Sequence, residues 1–240
     1  MKAVLVRVAI DAAYGKWNGP IDSDTNEFVY VPIPENCQFL SGFETGYLSL
    51  ENDLRNFVVQ RNLDLMRDCR FPKVLWGQNT HHDPDFRYLT YGDVGSRRGR
   101  PINNLSRGDL VVFYAGLRDY GKPQNPMTYG LIGMLTVEEV VSVGDISRDR
   151  WHENAHTRRS NHVKSDVVVR GQLGESGEFR KAIPIGEYRD RAYRVRQDLL
   201  DAWGDLTVKN GYIQRSANLP SFRNPKKFKN WLDHYGYEFA

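Results

Sequence analysis

Residues 105–117 read LSRGDLVVFYAGL, and residues 129–141 read YGLIGMLTVEEVV. Each holds an apolar run of strand length rich in β-branched and aromatic residues, and Gly108-Asp109 supplies a turn before the first run. The two read as neighbouring paired strands, the core hairpin of a sheet. Working outward, residues 3–10 (AVLVRVAI) form another β-branched run, a buried first strand that delivers Asp11 at its end. FVYVPIP (28–34) is a short strand ended by prolines, FPKVLWG (71–77) a further strand, and VKSDVVVRGQ (163–172) another. Between them, Leu50, Leu54, Phe57, Val58 and Leu65 fall near helical spacing after Ser49, a candidate N-cap. YRDRAYRVRQDLLDAWGDL (188–206) reads as helical, and the tail mixes Pro with Phe, Trp and Tyr. No internal repeat or low-complexity linker divides the chain. The expectation is an α+β (mixed α/β) domain over residues 1–240, with a central mixed β-sheet or a partly closed barrel flanked by helices.

The composition sets outer bounds. With 240 residues, 40% of them apolar and 12% aromatic, the chain is long enough to bury a core. Two cysteines, Cys37 and Cys69, make neither a disulfide framework nor a four-ligand zinc site, so a reducing compartment is expected. No apolar run reaches 18 residues and the N-terminus lacks the form of a signal peptide; a soluble cytoplasmic protein with no membrane partner is the reading. There is no G-x-x-x-x-G-K-[ST] pattern and no G-x-G-x-x-G after a strand, so no nucleotide or redox cofactor is called for.

Residues 81–85, HHDPD, concentrate two imidazoles and two carboxylates around a proline. Three readings stand side by side: a turn in which Asp accepts from its own backbone, an acid/base loop, and a metal site. Adjacent His81 and His82 in extended backbone point to opposite sides, whereas Asp83 and Asp85 could share a face. Asp11, at a strand end before a loop carrying Tyr14, Lys16 and Trp17, stands where such folds tend to place chemistry, although a turn-capping Asp would look the same. Basic residues gather in three turn-rich segments: Arg97, Arg98 and Arg100; Arg148, Arg150, Arg158, Arg159 and Lys164; Arg223, Lys226, Lys227 and Lys229. Aromatics such as Trp151, Phe222, Phe228 and Trp231 lie among them. Each cluster alone fits a solvated face. Three of them, in a chain of net charge only +3, point toward nucleic acid.

Two resemblances add to this. The Gly-Asp turn before a strand ending in Phe113-Tyr114, followed by a strand with Gly133, resembles the core hairpin of the PUA-like superfamily, which includes EVE and other readers of modified nucleobases. The wider match is to the nucleotide modification associated domain family, third type. Arg7, Asp11, Gly15, Pro20-Ile21 and Pro32-Ile33-Pro34 resemble its opening. His81, Asp83, Pro84 and Asp85 match its His-x-Asp-Pro-Asp element, Gly108-Asp109 its turn, and Glu238-Phe239 its close. The chain departs from that pattern at Ala12-Ala13-Tyr14 and in its central loop.

The resemblance implies association with hypermodified DNA of the kind bacteriophages carry. It implies similarity to anti-phage glycosylases that hydrolyse the N-glycosidic bond of a bulky base, such as a glucosylated hydroxymethylcytosine, leaving an abasic site. On that reading Asp11 and the HHDPD loop are two walls of one site and not a metal cage. Asp11 is the first choice for the carboxylate that stabilises positive charge on the sugar, with Asp83 or Asp85 second, and His81 either hydrogen-bonds the departing base or fixes a carboxylate. Tyr14, Trp17 and Tyr114 are candidates for stacking on an extruded base. Arg7, Lys16, Arg97, Arg98, Arg158 and Arg159 are candidates for phosphate or for a sugar on the base. The alternative from another class is a non-catalytic PUA/EVE-like reader, and a base-modifying transferase is a third.

Overall fold

The computed structural model describes residues 1–61, 63, 69–96, 99–124, 126–214 and 219–240. Its strands in chain order are β1 (Ala3–Arg7), β2 (Ile33–Pro34), β3 (Thr80–His81), β4 (Thr90–Asp93), β5 (Leu110–Arg118), β6 (Met127–Ser142), β7 (Val167–Gly171), β8 (Gly177–Pro184), β9 (Gly186–Arg189) and β10 (Ala192–Val195). The helices are α1 (Glu51–Gln60), α2 (Ala155–Arg158), α3 (Gln197–Trp203) and α4 (Pro225–Tyr235). Six strands form a mixed sheet in the order β1-β5-β6-β7-β4, with β8 also on β6. β1 runs parallel to β5 and the remaining pairs are antiparallel. The chain is thus α+β around a mixed sheet. Among the described residues β1 and β4 end the path unpaired to each other, so no barrel closes.

The expected hairpin is the backbone of this sheet. Side chains alternate across it: Ala3, Leu5, Leu110, Val112 and Tyr114 enter a core with Trp203, Phe228 and Leu232 of α3 and α4. Val4, Val6, Val111, Phe113 and Ala115 enter a second core on the other face with Ile132, Val137 and Val169. Burial on both faces is why these strands read as unbroken apolar runs. β6 is long enough to hold two partners on one edge, β8 along residues 130–134 and β7 along residues 137–142. A third cluster packs Leu54, Phe57 and Val58 of α1 against Ile10, Trp17, Val29, Val31 and Phe71.

Three sequence expectations change. Residues 71–77 form a 3₁₀ turn at Lys73–Leu75, because Pro72 cannot donate to a ladder and Leu75 tucks into the third cluster. In the FVYVPIP stretch only Ile33–Pro34 pairs as a strand. The stretch read as one helix over 188–206 divides into the β9–β10 hairpin and α3. Asp190 and Arg191, both at positive φ, make the turn, and Tyr129–Tyr193 ring packing outweighs helix propensity there. The tail carries α4, started by Asn224, whose side chain accepts from the Lys227 N–H, and by Pro225.

Candidate active site

The sheet positions the site through two short pairings. β2 and β3 set Ile33 opposite His81, which brings Glu35, just past β2, beside the His81 ring. β4 and β7 set Asp93 opposite Val167, which brings Asp166, just before β7, toward the same place. α2 completes it. Asn154 caps α2 by accepting from the His156 N–H, while its amide donates to Asp83 Oδ1 (3.3 Å) and to Thr90 Oγ1 (3.2 Å). One buried side chain therefore ties the HHDPD loop, β4 and the His156 helix together.

At the centre stand His81, Asp83 and His156, each no more than 8% exposed. Asp83 Oδ1 accepts from the Gly92 N–H at 2.6 Å, and its Oδ2 lies 3.5 Å from Nε2 of both His81 and His156. The far nitrogens are held in turn: His81 Nδ1 is 2.7 Å from Glu35 Oε2, and His156 Nδ1 is 2.6 Å from Asp166 Oδ2. Arg159 spans the two outer carboxylates, 3.1 Å from Glu35 and 3.8 Å from Asp166. His81, Asp83, His156 and Arg159 line a cavity of about 300 Å³ with Arg7, Tyr91 and Asp93, and Glu35 and Asp166 stand behind the histidines.

Charge within the cluster is mutually supported. Burial opposes ionisation of Asp83, but the two imidazoles beside it, His156 and His81, outweigh it and lower the carboxyl below its usual range. For Glu35 the same contest, won by His81, the Cys37 N–H and Arg159, brings the carboxyl down to about 2. Burial likewise opposes charge on the imidazoles, yet Asp166 and Asp83 raise His156 to about 9, and Asp83 and Glu35 raise His81. Asp93 goes the other way: burial and the nearby Asp83 charge raise it, against a 2.8 Å hydrogen bond from the Tyr91 hydroxyl. Two carboxyls facing one cavity thus have their ionisation pushed in opposite directions, the arrangement that separates an acid from a charge stabiliser.

His81 and His82 do point to opposite sides. His82 faces a larger cavity of about 640 Å³, where burial lowers its ring to about 4 and its Nε2 has no hydrogen-bond partner among the described residues. The expectation that Asp83 and Asp85 share a face does not hold. Asp85 lines the larger cavity, accepts from the Arg87 and Tyr88 N–H groups, and pairs with buried Arg158. The turn reading is right for Asp85, whereas Asp83 turns toward the two buried histidines. The Asp83–Pro84 peptide between them is cis.

The larger cavity has the greater volume, but its ionic groups are mostly opposed by partners, as Arg61 is by Glu27 and Asp22. The smaller one gathers the convergent buried groups and is the better candidate for chemistry. The larger one makes its own prediction. Burial, with the Asp53 charge, raises Glu178 from 4.5 to about 7. A raised carboxyl favours the folded state while protonated and loses that contribution as pH rises from about 4.5 through about 7. Glu178→Gln is therefore expected to stabilise the protein by about 1–3 kcal/mol at pH 8 and to be neutral near pH 4.5. Thermal unfolding at both pH values checks this; an equal gain at both would show that packing, not charge, is responsible.

The other sequence candidates lie around or away from the centre. Asp11 is not among the residues that line the cavity; it is about one-third exposed, accepting from the Ala13 N–H and from Arg7 at 3.2 Å. Arg7 does reach the cavity and also donates to the Gln214 carbonyl. Trp17 is buried against Phe71 and Tyr120, with Tyr14 packed on the same cluster, and Tyr114 is buried with its hydroxyl donating to the Ile213 carbonyl. Lys16 is exposed. Arg158 is committed to Asp85 and the His152 carbonyl, and Arg159 to Glu35; Arg97 and Arg98 lie outside the described residues. Within the basic clusters Arg150, Arg223 and Lys229 are paired with acids, whereas Arg148, Lys164, Lys226 and Lys227 are exposed without an ion pair among the described residues.

Sequence reasoning missed His156, Asp93, Glu35, Asp166 and Asn154. His156 sits in a segment that drew notice only for its charge, and the signal available was Asn154 two residues before it, a helix cap.

Fold and site together define an α+β protein with a buried, polar, acid/base-competent cavity beside a mixed sheet. The chain belongs to the family described as nucleotide modification associated domain 3, which it matches over residues 2–225. No curated protein and no solved structure matches it.

Proposed function

We propose that this protein is a DNA glycosylase that removes a bulky hypermodified base, such as glucosylated hydroxymethylcytosine of phage DNA, in anti-phage defence. Membership in a nucleotide-modification family supports a modified nucleic acid as the substrate. The observation that carries the reaction type is the pair of oppositely shifted carboxyls, Asp83 and Asp93, in one cavity. Breaking the C1′–N bond builds positive charge on the deoxyribose, which an ionised carboxylate stabilises. Asp83, held ionised by His81 and His156, fits that role. Asp93, with its proton retained to higher pH, fits the acid that protonates the departing base. Water supplies the oxygen that bonds to C1′, and one of its protons restores Asp93. Arg7 at the rim is positioned for a phosphate or an appended sugar. The small cavity accepts a sugar and a base only after the nucleotide leaves the stack, at a cost of a few kcal/mol.

The test incubates purified protein with glucosylated hydroxymethylcytosine DNA and with unmodified DNA, with and without divalent cations. Mass spectrometry follows released base, and alkaline cleavage follows abasic sites. Base release confined to modified DNA is the expected result. Tight modification-dependent binding without release would make the protein a reader, and neither would remove hypermodified DNA as its target.

A further inference from the structure

We infer that His81, Asp83 and His156 form a binding site for a single divalent transition-metal ion, with zinc, iron(II), manganese(II) and cobalt(II) as the class it suits. The inference concerns side chains used in the proposed reaction but does not rest on that reaction.

Three observations carry it. The first is distance. Nε2 of each histidine lies 3.5 Å from Asp83 Oδ2, beyond a good hydrogen bond. Two donors each about 2.1 Å from a tetrahedral ion stand about 3.4 Å apart. The separations fit ligands around a common centre better than they fit partners bonded to each other, and all three donor atoms lie within 4.8 Å of one another.

The second is the outer shell. Metal-binding histidines donate their second ring N–H to a carboxylate, which fixes the tautomer and aims the lone pair at the ion. Both histidines here do so, to Glu35 and to Asp166, at 2.7 and 2.6 Å. The third ligand is supported the same way: the Asp83 oxygen that faces away from the histidines accepts from Gly92 and Asn154. A histidine kept for packing alone has no need of such matched supports.

The third is charge. Glu35, Asp83 and Asp166 bring three negative charges into a buried volume, and Arg159 returns one positive charge. That leaves two negative charges, which one divalent ion would balance in place of protons on the two rings. Two imidazoles and one carboxylate are a donor set for these borderline ions and a poor one for calcium or magnesium. Three protein ligands leave coordination positions open toward the cavity bounded by Arg7, Tyr91 and Asp93, where a bound water would stand.

The experiment uses untagged full-length protein stripped with chelator and then titrated with cobalt(II) and zinc(II). Calorimetry gives stoichiometry, and the visible d–d absorption of cobalt reports nitrogen and oxygen ligation. One equivalent binding at micromolar affinity or tighter, with a cobalt spectrum abolished by zinc, is expected. His156→Gln and, separately, His81→Gln should each weaken binding at least tenfold with unchanged circular dichroism, whereas His162→Gln should leave it intact. The wild type alone decides the matter if either variant misfolds: no stoichiometric binding of either ion overturns the inference, as does binding that survives loss of both histidines. Base release measured in parallel separates the two readings. Metal binding without release leaves this site standing and removes the glycosylase; release unaffected by chelator, with no ion bound, does the reverse.

Discussion

Asp83→Asn is expected to lower base release from glucosylated DNA by about 10²–10⁴-fold while the protein stays folded. The substitution keeps an oxygen to accept from the Gly92 N–H. Its N–H₂ faces the two imidazole Nε2 atoms and requires them to give up the protons they hold opposite a carboxylate, so the charge is lost with little change of shape. Asp93→Asn should cost a comparable factor, because the departing base then loses the carboxyl assigned as its acid. Asp11→Asn should cost less than about tenfold, since that side chain lies outside the cavity lining and meets it only through Arg7. Asp85→Asn differs in kind: it leaves Arg158 buried without its counter-charge, and the expected loss is about 3–5 kcal/mol of stability, not chemistry. Single-turnover base release, with thermal unfolding of each variant, distinguishes these outcomes. Full activity in Asp83→Asn with loss in Asp11→Asn would move the centre to Asp11.

Gly92→Ala is the second large effect. A methyl group at that position would lie 2.4 Å from His156 Cδ2 and 2.6 Å from Asn154 Oδ1, closer than carbon atoms pack. Neither neighbour can swing aside, because His156 is held by Asp166 and Asn154 by the α2 cap. The expected cost is about 2–3 kcal/mol, read as a fall in melting temperature of about 5–10 °C, together with loss of base release as His156 is displaced. A melting temperature within about 2 °C of wild type would mean that β4 shifts to accommodate the methyl and that the close approach is not essential.

Much of the frame was legible. The apolar runs within residues 3–10, 105–117 and 129–141 read as buried strands from their length and β-branched content, and the two-sided core explains their continuity. His81 and Asp83 were visible because a dense polar motif in five residues has few uses. What sequence could not supply was partnership across distance. His156 reaches Asp83 only because β4, β7 and α2 converge, and Glu35 reaches His81 through a pairing of two residues. Asp11 misled for a related reason: a carboxylate after a strand looks the same whether it faces a substrate or caps a turn. The arginines at 158 and 159 looked like a surface patch, yet turned inward to carboxylates 73 and 124 positions away.

The two neighbouring imidazoles of HHDPD serve different rooms of the molecule, one facing the acid/base cavity and its neighbour the larger space beside α1. That division depends on parity. Because side chains of an extended segment alternate, adding or deleting one residue before His81 would trade the two rings between rooms and turn Asp83 away from His156. Length changes in this stretch are tolerable in steps of two, or not at all. In a related chain, a single-residue gap at this position would therefore mark a protein whose centre has been rebuilt.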